Sequence, residues 1–343
     1  MGATIEAIEY VFPEKKISNK DLQIEFPDYD FKRFEEKVGI ASRYVVAKNE
    51  TGLDLAVKAC QKLFERNINK KEVDYILYCT QSPEYILPTT ACVLQDKLEL
   101  RKNIGAFDFN LGCSGYTYGL SFAKALIESN QAKKILLVTA ETYSKLIHEK
   151  DRTNRSIFGD AATATIISES TENNIYHFLF GTDGKGYDKL IVKNGASRND
   201  FDINCELKEY GTGNKYSDNH LYMNGPRVFD FTLREIPSSI NELLKVNSLS
   251  KDSVGLFLFH QSNRFIIKQI ASQLKIPIEK IPFNIDKFGN TSGVSIPLLM
   301  VTELDQNKNY NNLLMSGYGA GLNWGNCLVH LSDTFEKYDL IEL

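Results

Sequence analysis

Three side chains have the type and setting to do chemistry together. Cys113 stands in Asp108-Phe109-Asn110-Leu111-Gly112-Cys113-Ser114-Gly115-Tyr116, where a strand-like run ends, a glycine turns the chain and a helical pattern begins. A thiol at a helix N-terminus faces free N–H groups and the positive end of the dipole, a setting that lowers its pKa and makes it a nucleophile. His260 follows the apolar run Leu256–Phe259. Residues at the C-terminal ends of parallel strands face the functional crevice of an open sheet. Asn290 lies in Phe288-Gly289-Asn290-Thr291-Ser292-Gly293, a turn before another helical pattern. Each has a plainer reading in isolation. A cysteine fills a turn, a histidine is a satisfied polar group, and an asparagine forms or caps a turn. His148, His177, His220 and His330 keep that plainer reading.

The elements that must position these residues change the balance. Residues 67–82 and 247–262 share a plan: a polar turn, an apolar strand-like run, then Gln-Ser, 180 residues apart. Leu136-Leu137-Val138-Thr139-Ala140 matches Leu313-Leu314-Met315-Ser316-Gly317 at 177 residues, and Gly112-Cys113-Ser114 falls on Gly289-Asn290-Thr291 at the same spacing. The common order indicates a duplicated half, with a first half over 1–170 and a second over 171–343. In the first, helices are expected over Gly52–Phe64, Thr89–Leu98 and Ser114–Ile127, with strands at Tyr75–Cys79, Ile104–Phe109, Lys134–Thr139 and Ala161–Ile167. In the second, helices are expected over Val228–Leu244, Arg264–Leu274 and Val294–Leu304, with strands at Leu256–Phe259 and Asn312–Ser316. Short apolar strands alternating with helices predict a largely parallel sheet with covered faces in each half. Two such halves give a layered α/β/α/β/α arrangement. The stretch 181–224, rich in Gly, Asn, Asp and Lys, reads as a loop-rich excursion, a lid or an interface segment. In this scheme Asn290 occupies the place of Cys113, and His260 the place of Thr80. Halves related by a pseudo-twofold axis would bring Cys113, His260 and Asn290 together, a set able to attack a thioester and polarise its carbonyl.

Composition narrows the class. The 343 residues are 43% hydrophobic and 24% charged, which suits a globular chain and excludes fibrous or disordered readings. With 40 basic against 44 acidic residues, and no long block of like charge, a nucleic-acid surface is not expected. No apolar stretch reaches the roughly 18–20 residues of a membrane span. The N-terminus lacks the pattern of a signal peptide, and Glu6 breaks the myristoylation motif that Gly2 invites. Six scattered cysteines, with no CxxC pair, fit neither a disulfide framework nor zinc ligands, so free thiols in the cytoplasm are expected.

Seven motifs in order carry a resemblance over nearly the whole chain. They are Gly112-Cys113-Ser114-Gly115, Asp151-Arg152-Thr153, Phe158-Gly159-Asp160-Ala161-Ala162, Met223-Asn224-Gly225, His260-Gln261-Ser262-Asn263, Gly289-Asn290-Thr291-Ser292 and Gly319-Ala320-Gly321-Leu322-Asn323-Trp324-Gly325. With these the sequence resembles the β-ketoacyl-acyl carrier protein synthase III family of the thiolase fold. The resemblance implies that Cys113 takes an acyl primer from coenzyme A or a carrier protein. It implies that the backbone N–H groups of Cys113 and Ala320 form the oxyanion hole. His260 and Asn290 would serve decarboxylative Claisen condensation with malonyl-acyl carrier protein or malonyl-CoA. Neutral His260 and Asn290 can both donate to the enolate left by loss of CO₂, and no metal or organic cofactor is called for. A homodimer docking an acyl carrier protein is implied as well.

The departures from the family pattern concern the substrate. Arg33 stands where a tryptophan usually stacks on the coenzyme A adenine, and Lys37 where an arginine meets phosphate, while Arg152 is kept. Phe265, after Arg264, replaces a surface arginine. Tyr318 replaces a phenylalanine beside the pocket, and Tyr85-Ile86 fall where the partner subunit's gating residues lie. These changes point to a specialised primer. The strongest alternative is an acyltransferase on the same scaffold that passes the acyl group of Cys113 to an alcohol or amine. Hydroxymethylglutaryl-CoA synthases need a glutamate where Thr80-Gln81-Ser82 stands, and plant-type polyketide synthases are usually longer. The glycine-rich Gly317–Gly321 lacks the βαβ unit of a dinucleotide site. A non-catalytic scaffold role would predict loss of one of the three residues, and all three are present.

Overall fold

The computed structural model describes residues 2–304, 310, 312–331 and 335, apart from 67 and 212. Asn67, which opens the first repeat, and the end of the second half beyond 335 lie outside the described residues. Two sheets carry the fold. The first holds β1 (Gly2–Val11), β2 (Tyr75–Cys79), β3 (Gly105–Phe109), β4 (Lys134–Glu141) and β5 (Ala161–Ser170), in the spatial order β1-β5-β4-β2-β3. The second holds β6 (Ile175–Thr182), β7 (Phe257–Phe259), β8 (Leu313–Gly319) and β9 (Asn323–Val329), in the order β7-β8-β9-β6. The continuous apolar runs form strands covered on both faces: every residue of β4 after Lys134 is buried.

The sheets are mixed, where largely parallel ones were expected. β2 runs parallel to β3 and β4, and β7 parallel to β8. The pairs β1–β5, β4–β5, β8–β9 and β9–β6 are antiparallel. For β8–β9 the reason is connection length. Only residues 320–322 separate β8 from β9, too few for the crossover that parallel pairing needs.

Five layers result. The helices Gly52–Phe64 and Thr90–Lys97 cover the outer face of the first sheet. The helices Gly225–Val246 and Arg264–Leu274 cover the outer face of the second. Between the sheets lie Gly115–Glu128 and Ser295–Glu303, whose residues join both sheets in one apolar cluster. Each central helix begins just after a candidate site residue, Cys113 or Asn290. Both therefore stand at the head of a helix between the sheets.

The loop-rich excursion is shorter and more ordered than its composition suggested. Gly181 and Thr182 belong to β6. The remainder includes a 3₁₀ turn at Gly184–Lys189, a hairpin pairing Lys208–Tyr210 with Asn214–Tyr216, and a pairing of Leu190–Ile191 with Tyr222–Met223. The Tyr210 hydroxyl donates to the Asp151 carboxylate at 2.7 Å, which ties the hairpin to the first half.

Candidate active site

Cys113 sits in the turn between β3 and the central helix Gly115–Glu128, against β8. Two glycines make that approach possible. A Cβ on Gly317 would come within 2.6 Å of the Cys113 carbonyl oxygen, and one on Gly319 within 2.8 Å of its sulfur. Neither the Cys113 nor the Ala320 N–H makes a loop or turn backbone hydrogen bond among the described residues.

The Cys113 thiol differs from its expectation. Burial pushes it up to about 12, against the opposing pull of the Ser292 hydroxyl 3.8 Å away. Glu141, itself pushed up to about 8 by burial, adds to the rise. Desolvation of the thiolate thus outweighs the helix-terminus effect from which a lowered pKa was expected.

His260 follows β7, its N–H donating to the Ser316 carbonyl at 2.9 Å. Its Nδ1 lies 2.7 Å from the Ser295 hydroxyl, at the start of the second central helix. Burial holds the imidazole down to about 3, so it is neutral at physiological pH. When Ser295 donates to Nδ1, Nε2 carries the proton and becomes a hydrogen-bond donor.

The backbone of Asn290 is pinned to the first half. Its N–H donates to the Ile157 carbonyl at 2.9 Å, and its carbonyl accepts from Gly159 at 3.0 Å. Gly289 before it has φ +67°, and a Cβ there would meet the Ile157 carbonyl oxygen at 2.7 Å, so glycine is required twice over. The Ser292 N–H donates to the Asn290 Oδ1 at 2.9 Å. That contact occupies the amide oxygen and leaves the Nδ2 donors for a ligand.

Cys113, His260 and Asn290 line one cavity of about 360 Å³. Its walls are otherwise mostly apolar, including Phe158, Phe229 and Ile266. Tyr318 lies in the wall, edge-on to the His260 ring at 5.5 Å, with its hydroxyl 3.3 Å from that of Ser262. Lys37 also lines the cavity, its ammonium 5.6 Å from the Phe265 ring. The Arg152 guanidinium stacks over Tyr29 at 4.6 Å, beside Thr153, which lines the cavity. Arg33 is exposed and outside the cavity lining. Tyr85 and Ile86 stand on a turn away from it, 55% and 88% exposed. Ala320 lines a second, smaller cavity.

Sequence reasoning missed several residues around the thiol and imidazole. Ser292 lies inside a quoted motif, and its positive φ of 51° marks a strained backbone at the site. Ser295 carries no sequence signal, since it meets His260 across 35 residues. Glu141 lies two residues past the expected end of its strand, at its observed end. Its carboxylate accepts from the Gln81 N–H at 3.1 Å and the Ser82 hydroxyl at 3.1 Å, fixing the turn beside the thiol.

The arrangement combines a thiol, a neutral imidazole and an oriented carboxamide in one cavity. Comparison with known proteins identifies the family of the chain. Residues 107–184 match the family model of 3-oxoacyl-[acyl-carrier-protein] synthase III, and residues 244–331 match the model of its C-terminal part. A β-ketoacyl-[acyl-carrier-protein] synthase III of Clostridium perfringens is 34% identical over 93% of this chain and 96% of its own length. A crystal structure of a 3-oxoacyl-(acyl-carrier-protein) synthase III superposes with a TM-score of 0.92 at 38% identity, covering 96% of this chain and 100% of that one. The corresponding synthase of Burkholderia xenovorans superposes at 0.89 with 33% identity, covering 97% and 95%.

Proposed function

This chain belongs to the 3-oxoacyl-[acyl-carrier-protein] synthase III family of condensing acyltransferases, and we propose that Cys113, His260 and Asn290 carry its two half-reactions. In the first, the Cys113 sulfur attacks the carbonyl of an acyl thioester of coenzyme A or a carrier protein. The Cys113 and Ala320 N–H groups hold the developing oxyanion, and the carrier leaves as a thiol. In the second, a malonyl thioester loses CO₂ and the electron pair of the broken C–C bond becomes an enolate. The N–H groups of neutral His260 and of Asn290 Nδ2 donate to its oxygen. The enolate carbon then attacks the acyl-cysteine carbonyl, and the Cys113 sulfur is released to take a proton. These steps require no metal or organic cofactor. In this reading Lys37 and Arg152 meet the phosphates of coenzyme A or of a carrier's prosthetic arm, with Arg33 further out. Tyr318 shapes the wall beside the reacting carbons.

One observation supports the condensing chemistry above all. The carboxamide of Asn290, turned by the Ser292 N–H so that its donors remain free, shares a cavity with a neutral imidazole and the thiol. An asparagine here donates without adding negative charge beside an enolate. The test begins with intact-mass spectrometry after incubation with acyl-CoA and acyl-carrier donors. CO₂ release from a carboxyl-labelled malonyl thioester is then followed. We expect a Cys113 adduct, and CO₂ release coupled to its disappearance. Acyl loading with transfer to an alcohol or amine, and no decarboxylation, would refute the reading.

The surface supports a homodimer. Tyr85, Ile86 and Leu87 expose an apolar turn, with Ile86 at 88% and Leu87 at 80%. A second copy related by a twofold axis would cover this turn and bring Tyr85-Ile86 toward its own pocket. Light scattering should give twice the chain mass, and Ile86→Glu should shift the protein toward monomer. A wild-type monomer active at nanomolar concentration would be inconsistent with this assembly. No helix among the described residues is long and apolar enough to cross a membrane, and all six cysteines are free. Both features suit a cytoplasmic enzyme drawing on thioester pools.

A further inference from the structure

The smaller cavity, of about 250 Å³, is lined by Gln81 and Ala320, which lie beside the neighbours of the nucleophile. Gln81, in its wall, packs its side-chain oxygen against Gly112, the residue before Cys113. Ala320, also in its wall, follows Gly319, which touches the Cys113 sulfur. Leu190 lines both cavities, so they meet at that residue. An acyl group on Cys113 that extends past Leu190 would enter this space.

Its chemistry is unusual for a space meant to hold a hydrocarbon. A line of polar groups runs from the thiol into the cavity: the Ser292 hydroxyl 3.8 Å from the sulfur, then the Tyr143 hydroxyl, then the Gln81 amide. The Tyr143 hydroxyl donates to Gln81 Oε1, which fixes the amide so that Nε2 is its remaining polar end. Among the described residues no acceptor takes the Nε2 hydrogens. The position is rigid. The Gln81 backbone N–H is held by the buried Glu141 carboxylate at 3.1 Å and 3.2 Å, and the Tyr143 ring is stacked on Phe158 at 4.9 Å. Asn110 adds a second amide, while Leu146 and Leu221 close the far side. Among the described residues no charged side chain lines the cavity, so an anionic or cationic primer would find no counter-charge in its wall.

We propose that this cavity selects a short, neutral, oxygenated primer, a hydroxyacyl thioester whose hydroxyl oxygen accepts from the Gln81 amide. The inference rests on the reading that Cys113 takes the primer, and it assigns the chemical class of that primer. An unsubstituted acyl chain would desolvate the Gln81 donors and leave them unpaired, whereas a hydroxyl restores the bond.

The test measures acylation of Cys113 by 3-hydroxybutyryl-CoA, 4-hydroxybutyryl-CoA and butyryl-CoA, using intact mass against time. We expect wild-type protein to prefer one of the hydroxyacyl donors over butyryl by at least about tenfold in kcat/KM. Gln81→Leu, which keeps the bulk and removes the donors, should erase that preference by loading butyryl faster. Tyr143→Phe keeps the ring stack and frees the amide to turn, and should reduce the preference in part, which covers the case where the Gln81 variant does not fold. Equal or better loading of butyryl by the wild type, or an unchanged ratio in folded Gln81→Leu, overturns the proposal and leaves Cys113 as nucleophile. Failure of every donor to modify Cys113 overturns both the nucleophile assignment and this inference.

Discussion

Cys113→Ser is expected to abolish acyl-enzyme formation while the protein stays folded. Oxygen for sulfur is nearly isosteric, and the position is enclosed by β8 and the central helix, so the melting temperature should move by less than about 4 °C. The chemistry should fail for lack of a base. Burial holds His260 down to about 3, and its Nδ1 is engaged by Ser295, which makes the imidazole a poor acceptor for the proton of a hydroxyl. A thiol in the same place releases its proton more readily and is the stronger nucleophile even when burial raises it. The loss in acylation rate should be at least about 10⁴-fold, the scale seen when an enzyme nucleophile is removed. Among the six cysteines only Cys113 lines the cavity, so no other thiol can substitute. Turnover near the wild-type rate in the serine variant would place the nucleophile elsewhere.

Asn290→Ala separates condensation from simple acyl transfer. The backbone bonds of residue 290 to Ile157 and Gly159 survive the substitution, so the turn should keep its place. What disappears is one donor to the enolate oxygen, worth about 2.7–4 kcal/mol, or roughly 10²–10³ in rate. The variant should still take a radiolabelled primer onto Cys113, within about threefold of the wild-type rate. Its release of CO₂ from the malonyl donor should be at least about a hundredfold slower. Asn290→Asp should be no better, since a carboxylate cannot donate and would repel the enolate. Equal losses in acylation and decarboxylation would mean that Asn290 acts on both half-reactions or only supports the fold.

The local code for most of the fold was legible in the chain. Continuous apolar runs marked strands such as Tyr75–Cys79 and Lys134–Thr139, the latter extended to Glu141 in the structure, and Arg264–Leu274 formed its helix with the expected bounds. β1 and β6 were missed. β1 attracted attention only as a chain terminus, and the apolar run of β6, Ile175–Phe180, lay just before the excursion and was not read as a strand. Strand direction was misjudged because periodicity reports burial, not pairing. The antiparallel β8–β9 pair follows from a connection too short to cross over, which becomes visible only once both strand ends are fixed.

The sequence by itself also predicted equivalent places for Cys113 and Asn290, reading the same turn as written twice, and each does precede a central helix. Packing decided the rest. The protonation of Cys113 and His260 depends on how much water the two sheets exclude, a property of enclosure that no motif records. The contacts that turn the Asn290 amide and hold the imidazole come from Ser292 and Ser295, and the latter gains its meaning only when the halves close. The polar line through Ser292, Tyr143 and Gln81 joins residues from three separate turns. Hydrogen-bond partners brought together from distant segments are fixed by tertiary distance, and a one-dimensional pattern carries no term for that distance.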